Sequence, residues 1–181
     1  MFSVVELGMR APPWYRASKP ASASRPTSRR TVCSVTPKRS DIASTVITNN
    51  LNVAAILSDN PDCEVIVAGG LVRGRDRGII GEATVEFIRQ FRVDIGLIGI
   101  SGIEADGSLR DFDYREVKVA RTIIEQSRQV WLAADHSKFN RPAMVELARL
   151  DQVDTLYTDR APPEAFDALL AEGNVQCVVA E

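Results

Sequence analysis

Apolar residues along this chain alternate between short unbroken runs and stretches at helical spacing. Val93-Asp94-Ile95-Gly96-Leu97-Ile98-Gly99-Ile100 is one run, broken at Ser101-Gly102. A polar loop, Glu104-Ala105-Asp106-Gly107-Ser108, follows it. Residues 114–127 are amphipathic, with Val117, Ala120, Ile124 and Ser127 on one face. A second run over 129–134 ends in Asp135-His136-Ser137-Lys138. Runs this short, without helical spacing, suit strands buried on both faces. A helix between two such strands predicts a parallel crossover, with both strands ending on the same side. The loops at Ser101 and Asp135 are then expected along one sheet edge, where open α/β sheets bind ligands.

The same alternation extends both ways. Residues 45–48 predict a strand, and Asn49-Asn50 can cap a helix with Leu51, Val53, Ala54 and Leu57 as its apolar positions. Asn60-Pro61-Asp62 is a turn, and residues 64–68 are a strand closed by Gly69-Gly70. Residues 71–80 read as an excursion whose Arg73-Gly74-Arg75-Asp76-Arg77-Gly78 is expected to be exposed. Gly81 opens a helix carrying Val85, Ile88 and Phe91, with Glu82 at its positive end. Residues 144–150 fit either a short helix or a strand arm. A strand over 153–158, a helix after Pro162-Pro163 that contains Phe166, Leu169 and Leu170, and an edge strand over 175–179 complete the pattern. Trp131, within a strand, reads as core. Six strands alternating with mostly helical connections predict an α/β fold, a mostly parallel sheet with helices on both faces.

Composition adds a boundary. The 181 residues are 45% hydrophobic with a net charge of −2, which fits one soluble domain plus a tail. Residues 1–44 carry eight Arg or Lys and two acids, a net of +6, so the rest carries −8. Residues 11–44 are rich in Ala, Ser, Pro and Arg without periodicity, so disorder is expected there. An organellar transit peptide or a basic nucleic-acid arm are the sharper but weaker alternatives. The expected division is therefore a basic tail over 1–44 and a folded domain over 45–181. No two helices joined by a tight turn can be drawn in residues 11–44, which argues against a helix-turn-helix. No apolar stretch approaches the ~18 residues of a membrane span. Cys33, Cys63 and Cys177 lie far apart and suit neither a disulfide framework nor zinc spacing, so they read as reduced thiols in a cytoplasm. His136 is the one histidine, which argues against a serine-protease triad and His-rich metal sites. No cofactor or metal is expected.

Several predicted strand ends carry small or hydroxyl residues before a helix start: Thr48-Asn49, Gly69-Gly70, Ser101-Gly102 and the Asp135–Lys138 loop. Exposed amides at such starts, with one lysine, would cradle a phosphate. Singly each suits an ordinary turn or cap; together on one edge they favour an anionic ligand. Asp135 and Lys138 are either an acid–base pair or an ion pair holding the loop. Glu116 either caps its helix or binds a ligand hydroxyl. Arg75 and Arg77 read as a solvated arm rather than a DNA contact. An enzymatic alternative, a sugar-phosphate isomerase, would use Asp135 or Glu116 as base and Lys138 as phosphate anchor.

Longer motifs carry a resemblance. They include Thr48-Asn49-Asn50-Leu51-Asn52-Val53-Ala54, Ala68-Gly69-Gly70, Gly78-Ile79-Ile80-Gly81-Glu82-Ala83-Thr84 and Leu97-Ile98-Gly99-Ile100-Ser101-Gly102-Ile103. Asp106-Gly107-Ser108-Leu109, Phe112-Asp113-Tyr114 and Asp135-His136-Ser137-Lys138-Phe139 follow in order. In these, residues 46–159 resemble the C-terminal sensor domain of DeoR-family bacterial transcriptional repressors, and most of all the branch concerned with glycerol 3-phosphate. The resemblance implies a sugar-phosphate-isomerase-like fold (the NagB/RpiA/CoA-transferase type) without enzymatic activity. It implies a phosphorylated effector, glycerol 3-phosphate or a sugar phosphate, a homo-oligomer, and operator DNA read by a separate N-terminal helix-turn-helix domain. Thr48, Asn49, Gly69, Gly70, Ser101, Gly102, Glu116, Asp135 and Lys138 are the expected ligand-binding residues, none of them catalytic.

The chain departs from that pattern. The helix-turn-helix and the opening sensor strand, with its phosphate loop, are not found ahead of residue 45. Residues 31–36 are strand-prone, but too few residues separate them from Val46 for the family's intervening helix. The family's lysine four residues after Glu116 is replaced by Ala120, with Lys118 on a different helix face. The chain is therefore expected to be a truncated member whose sheet has a gap where the opening strand belongs.

Overall fold

The computed structural model describes Val4–Leu7 and residues 44–180. Its elements run in chain order β1 (Val4–Leu7), β2 (Ser44–Thr48), α1 (Leu51–Leu57), β3 (Cys63–Val67), β4 (Leu71–Val72), β5 (Ile79–Ile80) and α2 (Glu82–Ile88). Then come β6 (Val93–Gly99), β7 (Gly102–Ile103), β8 (Ser108–Asp111), α3 (Tyr114–Gln126) and β9 (Ser127–Ala133). The chain closes with β10 (Val145–Arg149), β11 (Thr155–Thr158), α4 (Asp167–Glu172) and β12 (Gln176–Val179). Short 3-10 turns occupy His136–Lys138, Leu150–Gln152 and Glu164–Phe166.

Seven strands form the main sheet in the order β12-β11-β9-β6-β1-β2-β3. The pairs β12–β11, β11–β9, β9–β6 and β2–β3 are parallel, and β1 is antiparallel to both its neighbours. This is the expected mixed α/β class. Winding from β2 to β3 proceeds one way along the sheet, and from β6 through β9 and β11 to β12 the other. The direction reverses between β2 and β6, so the sheet has a switch point there. Right-handed crossovers on either side of it place α1 and α3 on opposite faces.

The core forms because these segments alternate in burial. On β6, Val93, Gly96 and Ile98 are buried, and on β9, Val130 and Leu132. Helix α3 buries Val117, Val119, Ala120 and Ile123, and α2 buries Val85 and Ile88 into the same cluster. Gly96 has a specific reason. A Cβ there would lie 2.0 Å from Ser127 Oγ and 3.0 Å from Ile123 Cγ2, so α3 packs against β6 only because that position is bare. Helix α1 starts as expected: Asn50 Oδ1 accepts from Asn52 N at 2.9 Å and Val53 N at 3.3 Å.

Three differences from the sequence reading matter. First, the sheet has no gap. Val4–Leu7, inside the segment expected to be a tail, lies between β2 and β6, pairing four residues of β2 and three of β6. Two unpaired backbone rows are a strong demand, because each buried unsatisfied group costs about 1–3 kcal/mol. Val-Val-Glu-Leu has strand-forming composition and meets that demand. The disorder, transit-peptide and basic-arm readings, the strand-prone residues 31–36 and Cys33 lie outside the described residues. Second, residues 144–150 resolve to a strand: β10 joins β8 and β7 in a small antiparallel sheet. Third, residues 71–80 are not a free excursion. They form the β4–β5 hairpin, in which Arg73 and Asp76 are partly buried and Gly78 fully so. Among the described residues, no helix is long and apolar enough to cross a membrane.

Candidate functional site

A cleft of about 960 Å³ opens at the carboxyl ends of β6 and β9, beside the switch point. Its floor is Leu97, Gly99, Ile100 and Ala133. One wall is the start of α3, with Asp113, Arg115 and Glu116; another is the arm between β4 and β5, with Arg73, Arg75 and Asp76. The third is the loop after β9, with Asp135, Lys138 and Arg141. Ser101, Asp111 and Phe112 complete the lining. Five basic side chains face five carboxylates, so the cleft is close to electrically balanced.

Arg73 is the node of that network. Its Nε donates to Asp76 Oδ1 at 2.9 Å, its two terminal nitrogens bond Asp76 and Glu116, and Asp113 Oδ2 lies 3.6 Å away. The hydrogen bonds from Asp76 and then Glu116 raise the Arg73 pKa further above its already high ordinary value. Arg73 in turn lowers Asp76 from 3.8 to about 2. Asp113 is also held below the usual carboxylate range, first by its bond to Arg115. Asp113 caps α3 by accepting from Arg115 N at 3.0 Å, and Glu116 is buried in the first turn of that helix. The cap of α3 is therefore Asp113, which leaves Glu116 bonded to the arm across the cleft.

The arm is held from below by asparagines. Asn50 Nδ2 donates to Asp76 O at 3.1 Å, Asn52 Nδ2 to the same oxygen at 3.3 Å, and Asn49 Nδ2 to Ile79 O at 3.1 Å. Backbone bonds from Ile79 N to Asn49 O and from Leu51 N to Arg77 O seal the seam. A chain of contacts thus runs from the end of β2 through the arm to Arg73 and on to α3.

The expected site residues divide accordingly. Ser101, Glu116, Asp135 and Lys138 line the cleft together. Thr48, Asn49, Gly69, Gly70 and Gly102 are not among its lining residues, and each makes contacts within the fold. Thr48 Oγ1 accepts from Asn50 N, and Asn49 fixes the arm. Gly69 O accepts from Thr84 Oγ1 at 2.9 Å, and Gly70 adopts φ +151, where a Cβ would meet Thr84 Oγ1 at 2.2 Å. Gly102 backs Arg141, whose carbonyl oxygen would lie 2.1 Å from a Cβ there.

The expected amide cradle is also corrected. In the Asp135 loop, His136 N donates to Asp159, Ser137 N to Asp135 and Lys138 N to the Asp135 carbonyl. Asx and helix caps have used those amides, so this loop offers an anion its side chains rather than its backbone N–H groups. Lys138 Nζ lies 3.4 Å from Asp135 Oδ2, an ion pair across the loop. The Ser137 hydroxyl is the main cause that keeps Asp135 below the usual carboxylate range, which makes it a weak base. Sequence reasoning missed Arg73, Arg115, Arg141, Asp111 and Asp113. The available signal was their spacing around Ser101 and Lys138, but nothing local announced that the arm folds back over α3.

Comparison with known proteins identifies the family. The family model described as the DeoR C terminal sensor domain matches residues 30–160, beginning ahead of the expected boundary at 45. The glycerol-3-phosphate regulon repressor of Escherichia coli (strain K12) is 53% identical over 131 residues, 72% of this chain and 52% of that protein. The protein of the same description from Haemophilus influenzae is 56% identical over 117 residues, 65% of this chain and 46% of that one. The HTH-type transcriptional repressor GlcR of Bacillus subtilis is 36% identical over 137 residues, 76% of this chain and 53% of that one. The chain spans about half the length of these curated relatives. A match over most of the chain, with the cleft-lining Ser101, Glu116, Asp135 and Lys138 all inside it, establishes that this chain belongs to the DeoR C-terminal sensor-domain family.

Proposed function

We propose that the chain is the effector-sensing part of a cytoplasmic transcriptional repressor, and that its cleft binds a small phosphorylated metabolite, glycerol 3-phosphate before other sugar phosphates. The observation that carries this reading is the make-up of the cleft: five cations, Lys138 among them, interleaved with five carboxylates, of which Asp111 and Glu116 are buried. Such a site suits a ligand with an anionic end and a hydroxylated end, because cations take phosphate oxygens and carboxylates accept from hydroxyls. The printed names of the relatives above support glycerol 3-phosphate as the first candidate. A sugar-phosphate-isomerase-like fold with no turnover follows the same reading. Its Asp135 is bonded to Ser137 and Lys138 and held below the usual carboxylate range, which makes it a weaker proton acceptor than an ordinary carboxylate. In the full-length family member, effector binding shifts the equilibrium between operator-bound and free states, and the sensor assembles as a homo-oligomer.

Thermal melting of the 181-residue chain with glycerol 3-phosphate, glucose 6-phosphate, glycerol and inorganic phosphate tests the proposal. A ligand at 100 times its Kd adds about 2.7 kcal/mol, which for a domain of this size raises Tm by roughly 5–10 °C. Glycerol 3-phosphate is expected to give that shift and glycerol none. Equal shifts with glycerol, or turnover of an aldose phosphate abolished by Asp135→Asn, would overturn it.

A further inference from the structure

The segment after β9 is pinned at three points. Phe139 is buried with its ring 5.0 Å from that of Phe166, edge to face, and pairs through a single bridge with Ile103. Asn140 takes a left-handed conformation, φ 54, and turns the chain sharply. The carbonyl of Arg141 then rests on Gly102, where even a methyl group would sit 2.1 Å from its oxygen. The side chain is placed as well, because its guanidinium carbon lies 5.6 Å from the centre of the Phe112 ring. Phe112, directly after β8, is half-exposed, and its ring is spent on this contact.

The cations of the cleft are not equivalent. Arg73 bonds Asp76 and Glu116, Arg115 bonds Asp113, and Lys138 faces Asp135. Arg75 and Arg141 form no ion pair among the described residues. Both are exposed, but Arg141 has its backbone held against Gly102 and its guanidinium over the Phe112 ring. A contact with a ring face leaves the five N–H donors of a guanidinium available. An arginine held over a ring face with its donors unspent, in a cleft where Arg73, Arg115 and Lys138 are paired, is prepared for an anion that arrives from solution.

Resting on the sensor reading above, we infer that Arg141 is the residue that recognises the anionic group of the effector, with Gly102 and Phe112 as its positioning residues. The guanidinium meets two phosphate oxygens side by side, and Lys138 adds a point charge. Gly102 thereby has a role in binding without touching the ligand. Its lack of a side chain is what allows Arg141 to approach β7.

Calorimetric titration of the 181-residue chain with glycerol 3-phosphate, inorganic phosphate and glycerol tests this. Arg141→Met removes an exposed side chain and leaves the fold intact. Losing a charge-assisted pair is expected to weaken glycerol 3-phosphate binding about 10- to 100-fold. Arg141→Lys should retain part of the affinity, since it keeps the charge and loses the fork. Phe112→Leu should weaken binding several-fold, and should have no effect once Arg141 is Met, which a merely structural role for Phe112 would not produce. Gly102→Ala should bind as weakly as Arg141→Met while melting cooperatively; if that variant fails to fold, the Phe112/Arg141 cycle decides alone. Wild-type binding with unchanged affinity in Arg141→Met, or additive effects of Phe112→Leu and Arg141→Met, would overturn the inference and leave the sensor reading standing. Failure of the wild-type chain to bind any phosphate-bearing probe would overturn the sensor reading and this inference together.

Discussion

Replacing Asp76 by Asn tests whether the arm over the cleft is held by charge. The carboxylate is partly buried, with a side-chain exposure of 18%, and is bonded twice by Arg73. Its pKa falls from the ordinary 3.8 to about 2 in the folded chain. Because the folded pKa is depressed, the stabilisation is complete above the unfolded value and disappears as pH falls from about 4 to 2. The drop from 3.8 to about 2, at ~1.4 kcal/mol per tenfold change in acidity, corresponds to about 2–2.5 kcal/mol at neutral pH. Urea unfolding of wild-type and Asp76→Asn chains at pH 7, 5, 4, 3 and 2 measures the difference directly. The variant is expected to be about 2 kcal/mol less stable at pH 7 and pH 5, with the gap closing below pH 4. Asp113, Asp135 and Asp159 are also depressed, so both chains lose stability in acid, but only their difference reports Asp76. A gap that stays constant down to pH 2 would mean that Asp76 acts through shape and neutral hydrogen bonds, and the electrostatic account of the arm would be wrong.

Three other perturbations probe the scaffold. Deleting residues 1–7 removes the strand that pairs with both β2 and β6, and is expected to lower stability by on the order of 5 kcal/mol, a large part of a domain's usual margin; an unchanged melting curve would show that β1 is dispensable. Gly96→Ala drives a methyl group into Ser127 and Ile123 and should cost about 1–3 kcal/mol in urea unfolding, less when Ser127→Gly is added, whereas simple additivity would contradict the packing described for α3. Asn50→Ala should cost about 1–2 kcal/mol and speed amide exchange across residues 73–78, because one side chain both caps α1 and holds Asp76 O. Asn50→Asp, which keeps the cap and loses the amide donor, should restore the stability but not the slow exchange.

The parts of the fold legible in the sequence were those where burial imposes a period. The buried runs of β6 and β9, the amphipathic α3 and the Asn50 cap could be read from spacing alone, and the structure places them within a residue or two of expectation. Residues 144–150 stayed ambiguous because β10 contains a register shift between Glu146 and Ala148, which breaks strict alternation. The strand Val4–Leu7 was missed because four residues set in basic sequence carry little pattern. Its place follows from a tertiary demand, the vacancy between β2 and β6. For the site, position along the sheet edge was legible and distance from the switch point was not. Ser101, Asp135 and Lys138 follow β6 and β9 and reach the cleft; Thr48, Asn49, Gly69 and Gly70 follow β2 and β3 and contact the start of α1, the arm and α2. Small and polar residues at strand ends signal either a ligand loop or a clamp on a neighbouring segment, and only the partner of each donor separates the two. Arg73 shows the converse. In sequence it belongs to a polar excursion, yet its position is set by Asp113 and Glu116 some 40 residues further on.

Amide chemical-shift mapping during titration with glycerol 3-phosphate tests the central claim most directly, because it locates the effector on the chain without presupposing affinity or any variant. The account predicts saturable perturbations at Ser101, Glu116, Lys138 and Arg141, which line the cleft. It predicts none of comparable size at Thr48, Asn49 or Gly69, and none at any of these positions when glycerol replaces glycerol 3-phosphate. Perturbations centred on Asn49, Gly69 and Gly70, with Lys138 and Arg141 silent, would contradict it and return the site to the strand ends of β2 and β3.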